Sequence, residues 1–531
     1  MIDDSREAIT LGRTALGIEL GSTRIKAVLN GPDHRPLATG THEWENEFVD
    51  RIWTYSLGSV WIGLQQCYAA LAADVRQRYG VDLTTPGALG VSAMMHGYLA
   101  FDASGDLLTP FRTWRNTNTA AAAAQLTDLF NYNIPHRWSV AHLYQATLDG
   151  EQHVPRIAHL TTLAGYVHWQ LTGRQVIGVG DASGMFPIDS STRGYDSTML
   201  ATLDQLAADA GIELTLATLL PTPLLAGEPA GELTEAGARL LDPSGRLSAG
   251  VPLCPPEGDA GTGMVATNSV SPRTGNVSAG TSIFAMVVLE HPLSGVHREV
   301  DLVTTPAGDP VAMVHCNNGA SELNAWVTLF VEFAAVIGAP TPTSEVFEAL
   351  FRTALDGASD CGGLLAYAYL SGEPITQLEE GRPILVRTPE SRFDLSTFMR
   401  TQLFSSLATL RIGMDVLQKN EGILLDRMFA HGGLFKTNGV AQRFLAAAIR
   451  TPVSVGDVAA EGGAWGIAVL AAFCATRRPG QTMSDYLDSE VFAAVALKTV
   501  EPVPADVAGF EAFVERFVAG LPIERAAVAH S

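Results

Sequence analysis

One local pattern occurs in both halves of the chain, and it limits the folds open to it. Residues 17–29 read GIELGSTRIKAVL and residues 274–290 read TGNVSAGTSIFAMVVLE. Each is an apolar, strand-forming run, a Gly-Ser/Thr corner and a second strand-forming run, the pattern of a β-hairpin. The first corner is not a P-loop, since the GxxxxGK[ST] spacing is absent and strand residues, not a helix, follow the glycine. Gly21 permits a tight backbone, and the amides and hydroxyls of Ser22 and Thr23 can meet phosphate oxygens as a small anion nest. Gly280, Thr281 and Ser282 repeat the arrangement. An ordinary hairpin turn explains either motif alone equally well. Two related halves, each with a phosphate-sized corner, suit a nucleotide held between them.

Between the hairpins, strand-like and helix-like segments alternate, as in α/β layers. GALGVSAMMHGYLAFD reads as strands broken at a glycine corner, FVDRIWTYSLGSVWIGLQQCYAALAADVRQR has apolar residues at helical spacing, and NTAAAAAQLTDLF is a second helix. A chain of 531 residues exceeds one ordinary core. The Pro- and Gly-rich stretch VPLCPPEGDAGTGMVATNSVSPRTG is the clearest mid-chain break in periodicity, and it sets the expected division into residues 1–267 and 268–531. Two glycine clusters follow in the second half. Gly432 and Gly433 lie between an apolar strand and a helix, where a flat adenine ring could rest on side-chain-free backbone. Gly462, Gly463 and Gly466 open an apolar helix, where close helix packing explains them equally well.

Charge narrows the partners. A formal net charge of −22 opposes a nucleic-acid backbone, and an anionic small substrate would need local backbone amides or a bound cation. Five cysteines without a CxxC pair indicate neither a disulfide framework nor a zinc site and fit a reducing cytoplasm. The N-terminal residues show no basic start followed by an apolar stretch, and no uncharged run reaches the roughly 18 residues of a membrane span, so a soluble, cytoplasmic protein is expected.

The succession GIELGST, SAMMHGYLAFD, LAGYVHWQLTG with GDASG, PPEGDAGTG, SAGTS, YLSGE and HGGLFKTNGVAQRFLAAAIRTPV resembles the FGGY family of carbohydrate kinases, xylulokinase-like members above all. The resemblance runs from about residue 15 to about residue 475, in the family's order. It implies an α/β fold of two ribonuclease-H-like (actin-like ATPase) domains with an inter-domain cleft, closing on ATP, Mg²⁺ and a sugar or polyol. The first domain would hold the sugar, the catalytic base and the first phosphate hairpin, and the second would hold the other hairpin and adenosine. A homodimer is common for such kinases.

Residue by residue, the resemblance places the general base at Asp259 in EGDAGTG. A carboxylate within hydrogen-bond reach of the accepting hydroxyl can take its proton as the γ-phosphoryl group arrives, a service worth about 10²–10⁴-fold in rate. Met95 and His96 match the family's sugar-contacting Met-His pair: imidazole serves hydroxyls and the thioether lines an apolar wall. Without the resemblance, a lone histidine beside two methionines reads as a core residue. Trp114 and Asn116 match the Trp and Asp of a Trp-Asn-Asp-x-Arg segment, with Arg115 and Asn118 departing from it. Gly21, Ser22, Thr23, Gly280, Thr281 and Ser282 would cradle phosphates, and Gly432 and Gly433 would lie under adenosine. Glu19, where the family usually has aspartate, would help place Mg²⁺. Asp181 matches an acid of the first domain, with turn or cap formation an equal explanation and no catalytic role assigned. His315, Asn317 and Asn318 are cleft candidates that Asn-Asn-Gly turn chemistry also explains.

The expected activity is ATP-dependent phosphorylation of a small ketose, foremost a ketopentose of the xylulose or ribulose type. Its rivals are a kinase for another polyol or a 6-deoxyketose, favoured by Met94 standing where glutamine is usual, and an actin-like ATPase that switches a protein partner. A sugar-sensing repressor ranks lower, because no helix-turn-helix segment precedes the first strand.

Overall fold

The computed structural model describes residues 2–209, 211–212, 214–456 and 462–531. They form two compact units that interleave in sequence. The first comprises Met1–Val270, Leu302–Val311 and Val458–Val495, and the second Ser271–Asp301, Ala312–Asp457 and Ala496–Ser531. The sequence reading draws one contiguous division, whereas the glycine-rich helix Gly462–Thr476 packs with the first unit.

In the first unit, β1 (Ala15–Leu20) and β2 (Arg24–Asn30) form the expected hairpin, with Glu19 opposite Lys26. β3 (Pro36–Glu43) continues the antiparallel ladder, while β4 (Ala88–Ala93) joins β1 in parallel and β5 (Glu257–Gly258) joins β4 in parallel. The order is therefore β5-β4-β1-β2-β3. Leu16, Ile18, Leu20, Ile25, Ala27 and Leu29 are buried in one core with Leu64, Leu71 and Val75 of the helix Leu57–Tyr79.

That helix begins later than its periodicity predicts. Residues Glu47–Val49 and Ile52–Thr54 pair instead as a short hairpin, turning through left-handed Asp50 and Arg51. The Ser56 hydroxyl then accepts from the Ser59 amide and caps the helix start. The alanine-rich helix runs Ala120–Phe130, and LAGYVHWQLTG gives Leu163–Thr172.

On the other side of the sheet, the helix Gly462–Thr476 comes so close to β1 that a Cβ on Gly17 would lie 2.1 Å from the Ala464 carbonyl oxygen. Only glycine allows that approach. Gly466 likewise meets the Thr262 backbone, so close packing accounts for this glycine of the cluster.

The second unit repeats the scheme. β6 (Thr274–Ala279) and β7 (Ile283–Val288) form its hairpin, β8 (Pro310–Cys316) lies beyond β7, β9 (Arg427–His431) pairs with β6 in parallel, and β10 (Val453–Val455) follows β9. The order β8-β7-β6-β9-β10, the middle five of seven strands with Val300–Thr304 and Lys498–Val500 at the edges, matches β3-β2-β1-β4-β5 of the first unit. Its core adds the helices Leu395–Asp415, Val440–Ile449 and Pro504–His530, where Phe404 meets Phe510 with ring centroids 4.5 Å apart. Among the described residues, no helix is long and apolar enough to cross a membrane.

Candidate active site

The first unit brings Glu19, Met95, His96, Asp181, Glu257 and Asp259 to the carboxyl ends of β1 and β4, where open α/β sheets place their ligands. Asp259 opens the helix Asp259–Ala266 directly after β5. Its Oδ1 accepts the Met95 amide at 3.0 Å. The side chain is exposed, yet dense surrounding protein raises it from the ordinary aspartate range, against the pull of the Met95 and Ala260 amides. An accessible carboxylate with raised proton affinity can receive a proton from a bound hydroxyl.

Met95 and His96 follow β4 at a sharp corner: His96 has φ +71° and Gly97 φ +104°. A histidine in the left-handed region costs of order 1–3 kcal/mol and persists where its surroundings fix it. Here the Ser139 hydroxyl donates to the Gly97 carbonyl at 2.5 Å, and the imidazole lies against Gly184, whose Cβ, if it had one, would be 2.6 Å from Nδ1. Trp138 stacks behind the ring at a centroid distance of 6.5 Å.

Two buried acids stand behind Asp259. Asp181, in the short helix Val179–Ala182, accepts the Thr162 hydroxyl at 2.6 Å through Oδ2, while its buried Oδ1 has no hydrogen-bond partner among the described residues. Burial pushes it up to about 7, the Thr162 bond opposing and the Asp259 charge adding to the rise. Among the described residues its side-chain hydrogen bond goes to Thr162, outside its own helix. Glu257, two residues before Asp259, is pushed up to about 8 by burial and then by Asp181, with the Gly180 and Asp181 amides pulling back.

Glu19 lies at the end of β1, with Oε2 accepting the Ala464 amide at 3.1 Å. Burial, then the Asp259 charge, pushes it up to about 7, opposed by the Ala464 amide and Lys26. A Cβ on Gly463 would lie 2.3 Å from Oε1, so the helix start closes directly on the carboxylate.

Aromatic side chains brace the Gly21-Ser22-Thr23 corner. Trp44 Nε1 donates to the Gly21 carbonyl at 2.7 Å, the Tyr55 hydroxyl to the Ser22 carbonyl at 2.6 Å, and Trp114 Nε1 to the Ser22 hydroxyl at 3.2 Å. Gly21 has an ordinary negative φ; its corner closes through its amide on the Arg24 carbonyl at 3.0 Å. Trp114 is 39% exposed and available to a ligand. Asn116 is buried and engaged otherwise: its amide accepts from the Trp53 amide at 2.9 Å and donates to the Trp53 carbonyl at 2.8 Å, fastening the wall beside Trp114.

The second unit's corner is held by backbone. The amides of Gly319 and Ala320 donate to the carbonyls of Thr281 and Gly280 at 2.8 and 2.9 Å. The Asn-Asn-Gly segment is thus a brace: Asn318 accepts from the Leu370 and Ser371 amides and donates to the Ser371 carbonyl and Glu373. Gly432, at φ +106°, abuts β6, where a Cβ would meet the Ala279 carbonyl oxygen at 2.3 Å. Next to Gly280 and Gly433 the space where a Cβ would sit is open within 4 Å.

The N-terminal-domain profile of the FGGY family of carbohydrate kinases matches residues 14–241, and its C-terminal-domain profile matches residues 275–475. The chain belongs to the FGGY family. It is an ATP-dependent carbohydrate kinase with the two-domain, actin-like α/β fold of that family. Among solved structures, this FGGY kinase is similar to a xylulose kinase from Rhodospirillum rubrum (19% identity, TM-score 0.78, covering 96% of this chain and 99% of that one). It is also similar to a gluconate kinase from Lactobacillus acidophilus (16%, 0.76, 98% and 98%) and to a glycerol kinase with ADP from Plasmodium falciparum (13%, 0.73, 95% and 98%). No curated protein matches it by sequence.

Sequence reasoning missed Trp44, Tyr55 and Glu257. Tyr55 reaches Ser22 across 33 residues and Glu257 reaches Gly180 across 77, separations at which no periodic pattern operates. The one local hint is an acid immediately before the Gly-Asp step.

Proposed function

We propose that this kinase transfers the γ-phosphoryl group of ATP to a hydroxyl of a ketopentose of the xylulose or ribulose type. The observation that carries the reading is the hydrogen bond from the Met95 amide to Asp259 at 3.0 Å, which joins the base to the Met-His corner assigned to the sugar. Asp259 takes the hydroxyl proton, the freed oxygen forms its bond to the γ-phosphorus, and the bond to the bridging oxygen breaks to release ADP. His96 orients the sugar by hydrogen bonds, Met95 and Trp114 give it apolar walls, and Asn116 holds the wall beside Trp114. Ser22 and Thr23 in the first unit, and Gly280, Thr281 and Ser282 in the second, serve the phosphates, with Gly432 and Gly433 under adenosine.

The donor set suits Mg²⁺. Among the described residues, no group of three or more His, Cys, Asp and Glu forms an all-protein metal cage. Instead, the Asp259 charge adds to the cost of ionising Glu19, as suits an ion held by one or two carboxylates and substrate phosphates. Bound there through Glu19, Mg²⁺ would supply charge neutralisation for the transferring phosphoryl group.

Met94, Arg115 and Asn118 depart from the ketopentose-kinase pattern and favour, as a second reading, another polyol or a 6-deoxyketose. A coupled ADP-release screen over ketopentoses, 6-deoxyketoses, pentitols, glycerol and gluconate separates the two. Ketopentoses should give the highest kcat/KM; preference for any other class discards the ketopentose assignment.

A further inference from the structure

We propose that Glu257 is a positioning residue for Asp259, fastening the strand that carries the base to the segment that backs His96. The inference rests on the reading of Asp259 as the base. Glu257 is 1% exposed and spends both carboxylate oxygens on one target: Oε1 accepts the Gly180 amide at 3.2 Å and Oε2 the Asp181 amide at 2.9 Å. The Pro256 carbonyl beside it accepts the Gly178 amide at 2.7 Å. Three backbone donors of one short segment therefore close on two consecutive residues that lead into Gly258 and Asp259.

The contact leaves no slack. A Cβ on Gly178 would lie 2.2 Å from Glu257 Oε1 and one on Gly180 2.5 Å from Oε2, so the carboxylate rests directly on bare backbone. The same segment continues to Gly184, against which the His96 ring packs. Asp259 in turn is tied to Met95, the neighbour of His96. Glu257 thus completes a ring of contacts, from base to Met95-His96 to residues 178–184 and back to the base, and it fixes how far the base stands from whatever hydroxyl His96 holds. Keeping an acid here is costly, since burial and Asp181 both disfavour its charge. Two backbone donors at fixed spacing are met by the two oxygens of an acid side chain and not by an amide, in which one of the two oxygens becomes an NH₂.

Single-turnover ADP formation tests this with E257Q, D259N and the double variant. A displaced base costs rate rather than binding, and displacement on the ångström scale can cost about 100-fold. E257Q is expected to lower kcat by roughly 10- to 100-fold with both KM values nearly unchanged, and to change turnover less than about twofold in the D259N background, where there is no base left to position. An equal loss in both backgrounds, a loss confined to KM, or no loss overturns the proposal. E257D, which keeps a carboxylate, serves if E257Q does not fold; failure of both to fold makes Glu257 a plain structural residue and also overturns it. Near-normal turnover of D259N would instead remove Asp259 as base, and this inference with it, whereas an inactive D259N beside a normal E257Q defeats the positioning role alone.

Discussion

The two Gly-Ser/Thr corners share a local sequence and a strand order but are supported by different means. The first hangs from side chains: Trp44, Tyr55 and Trp114 bond its backbone and hydroxyl, and Glu19 lies on the strand beneath it. The second rests on main chain, held by the Gly319 and Ala320 amides and the close approach of Gly432. The strand leading into the first corner carries Glu19, which the Asp259 charge acts on, whereas beside Gly280 and Gly433 at the second the space where a Cβ would sit is open. On the proposed function, a repeated fold would thus divide its labour, with proton and charge chemistry in one copy and shape in the other.

The largest expected effect tests that division directly. Asp259→Asn removes the proposed proton acceptor and should lower sugar-dependent kcat by about 10²–10⁴-fold while nucleotide affinity, read by titration calorimetry, stays within about twofold. Turnover near wild type would take the proton chemistry away from the first unit. Variants of the second corner should show the reverse split, with nucleotide KM raised and the base's pH dependence unmoved.

Next comes a pair of alanine substitutions one residue apart. Gly432→Ala forces a left-handed φ of +106° on alanine and drives its Cβ to 2.3 Å from the Ala279 carbonyl oxygen, costing on the order of 3 kcal/mol. Gly433→Ala meets nothing within 4 Å and should change stability by less than about 0.5 kcal/mol. Denaturant midpoints distinguish them, and nucleotide KM then sharpens the comparison. If the open space at Gly433 is the adenosine cradle, its alanine variant should bind nucleotide more weakly although it folds normally.

The contrast between corners explains what the sequence made legible. The two hairpins are local and the order of motifs is linear, so both could be read from the sequence, the hairpins from GIELGSTRIKAVL and TGNVSAGTSIFAMVVLE; the parallel partners of their first strands, Ala88–Ala93 and Arg427–His431, lie far along the chain and could not be. The start of the helix Leu57–Tyr79 could not, because apolar residues 48–54 fit a helical period while left-handed Asp50 and Arg51 turn them into a hairpin. Asn116 was a ligand candidate from its place in the Trp-Asn-Asp-x-Arg match, where the family has aspartate, and its amide is engaged by Trp53 and Thr113. Glu257 was passed over because its partners lie in a helix start 76 and 77 residues away. Residue type announces chemistry; only packing shows which atoms are already engaged.

The acid cluster also predicts a pH dependence. Asp181 has its folded value raised to about 7, so between pH about 4 and about 7 the unfolded chain releases a proton that the folded chain keeps. Its stabilising contribution is complete below that window and is lost as pH rises through it. Thermal midpoints of the apo protein at pH 5 and pH 8 should therefore differ less in Asp181→Asn than in wild type, with Glu19 and Glu257 retaining part of the slope. An unchanged difference would mean that Asp181 is ionised throughout.

The smallest expected effect concerns Glu19, whose hydrogen bond to the helix start can be separated from its proposed metal role. One oxygen accepts the Ala464 amide at the start of the helix Gly462–Thr476, a capping bond worth about 1 kcal/mol, and the proposed metal role needs the negative charge. Glu19→Gln keeps an oxygen for the amide and loses the charge. Stability should hardly move, while the Mg²⁺ concentration for half-maximal rate rises roughly tenfold, equal to ~1.4 kcal/mol, and sugar KM stays the same. Glu19→Ala loses both duties and should add a drop of about 1 kcal/mol in stability to the same Mg²⁺ shift. If Glu19→Gln leaves the Mg²⁺ dependence unaltered while Glu19→Ala destabilises, the carboxylate serves the helix alone. The first corner would then lose its metal and come to resemble the second, a cradle held by its neighbours with all the charge chemistry left to Asp259.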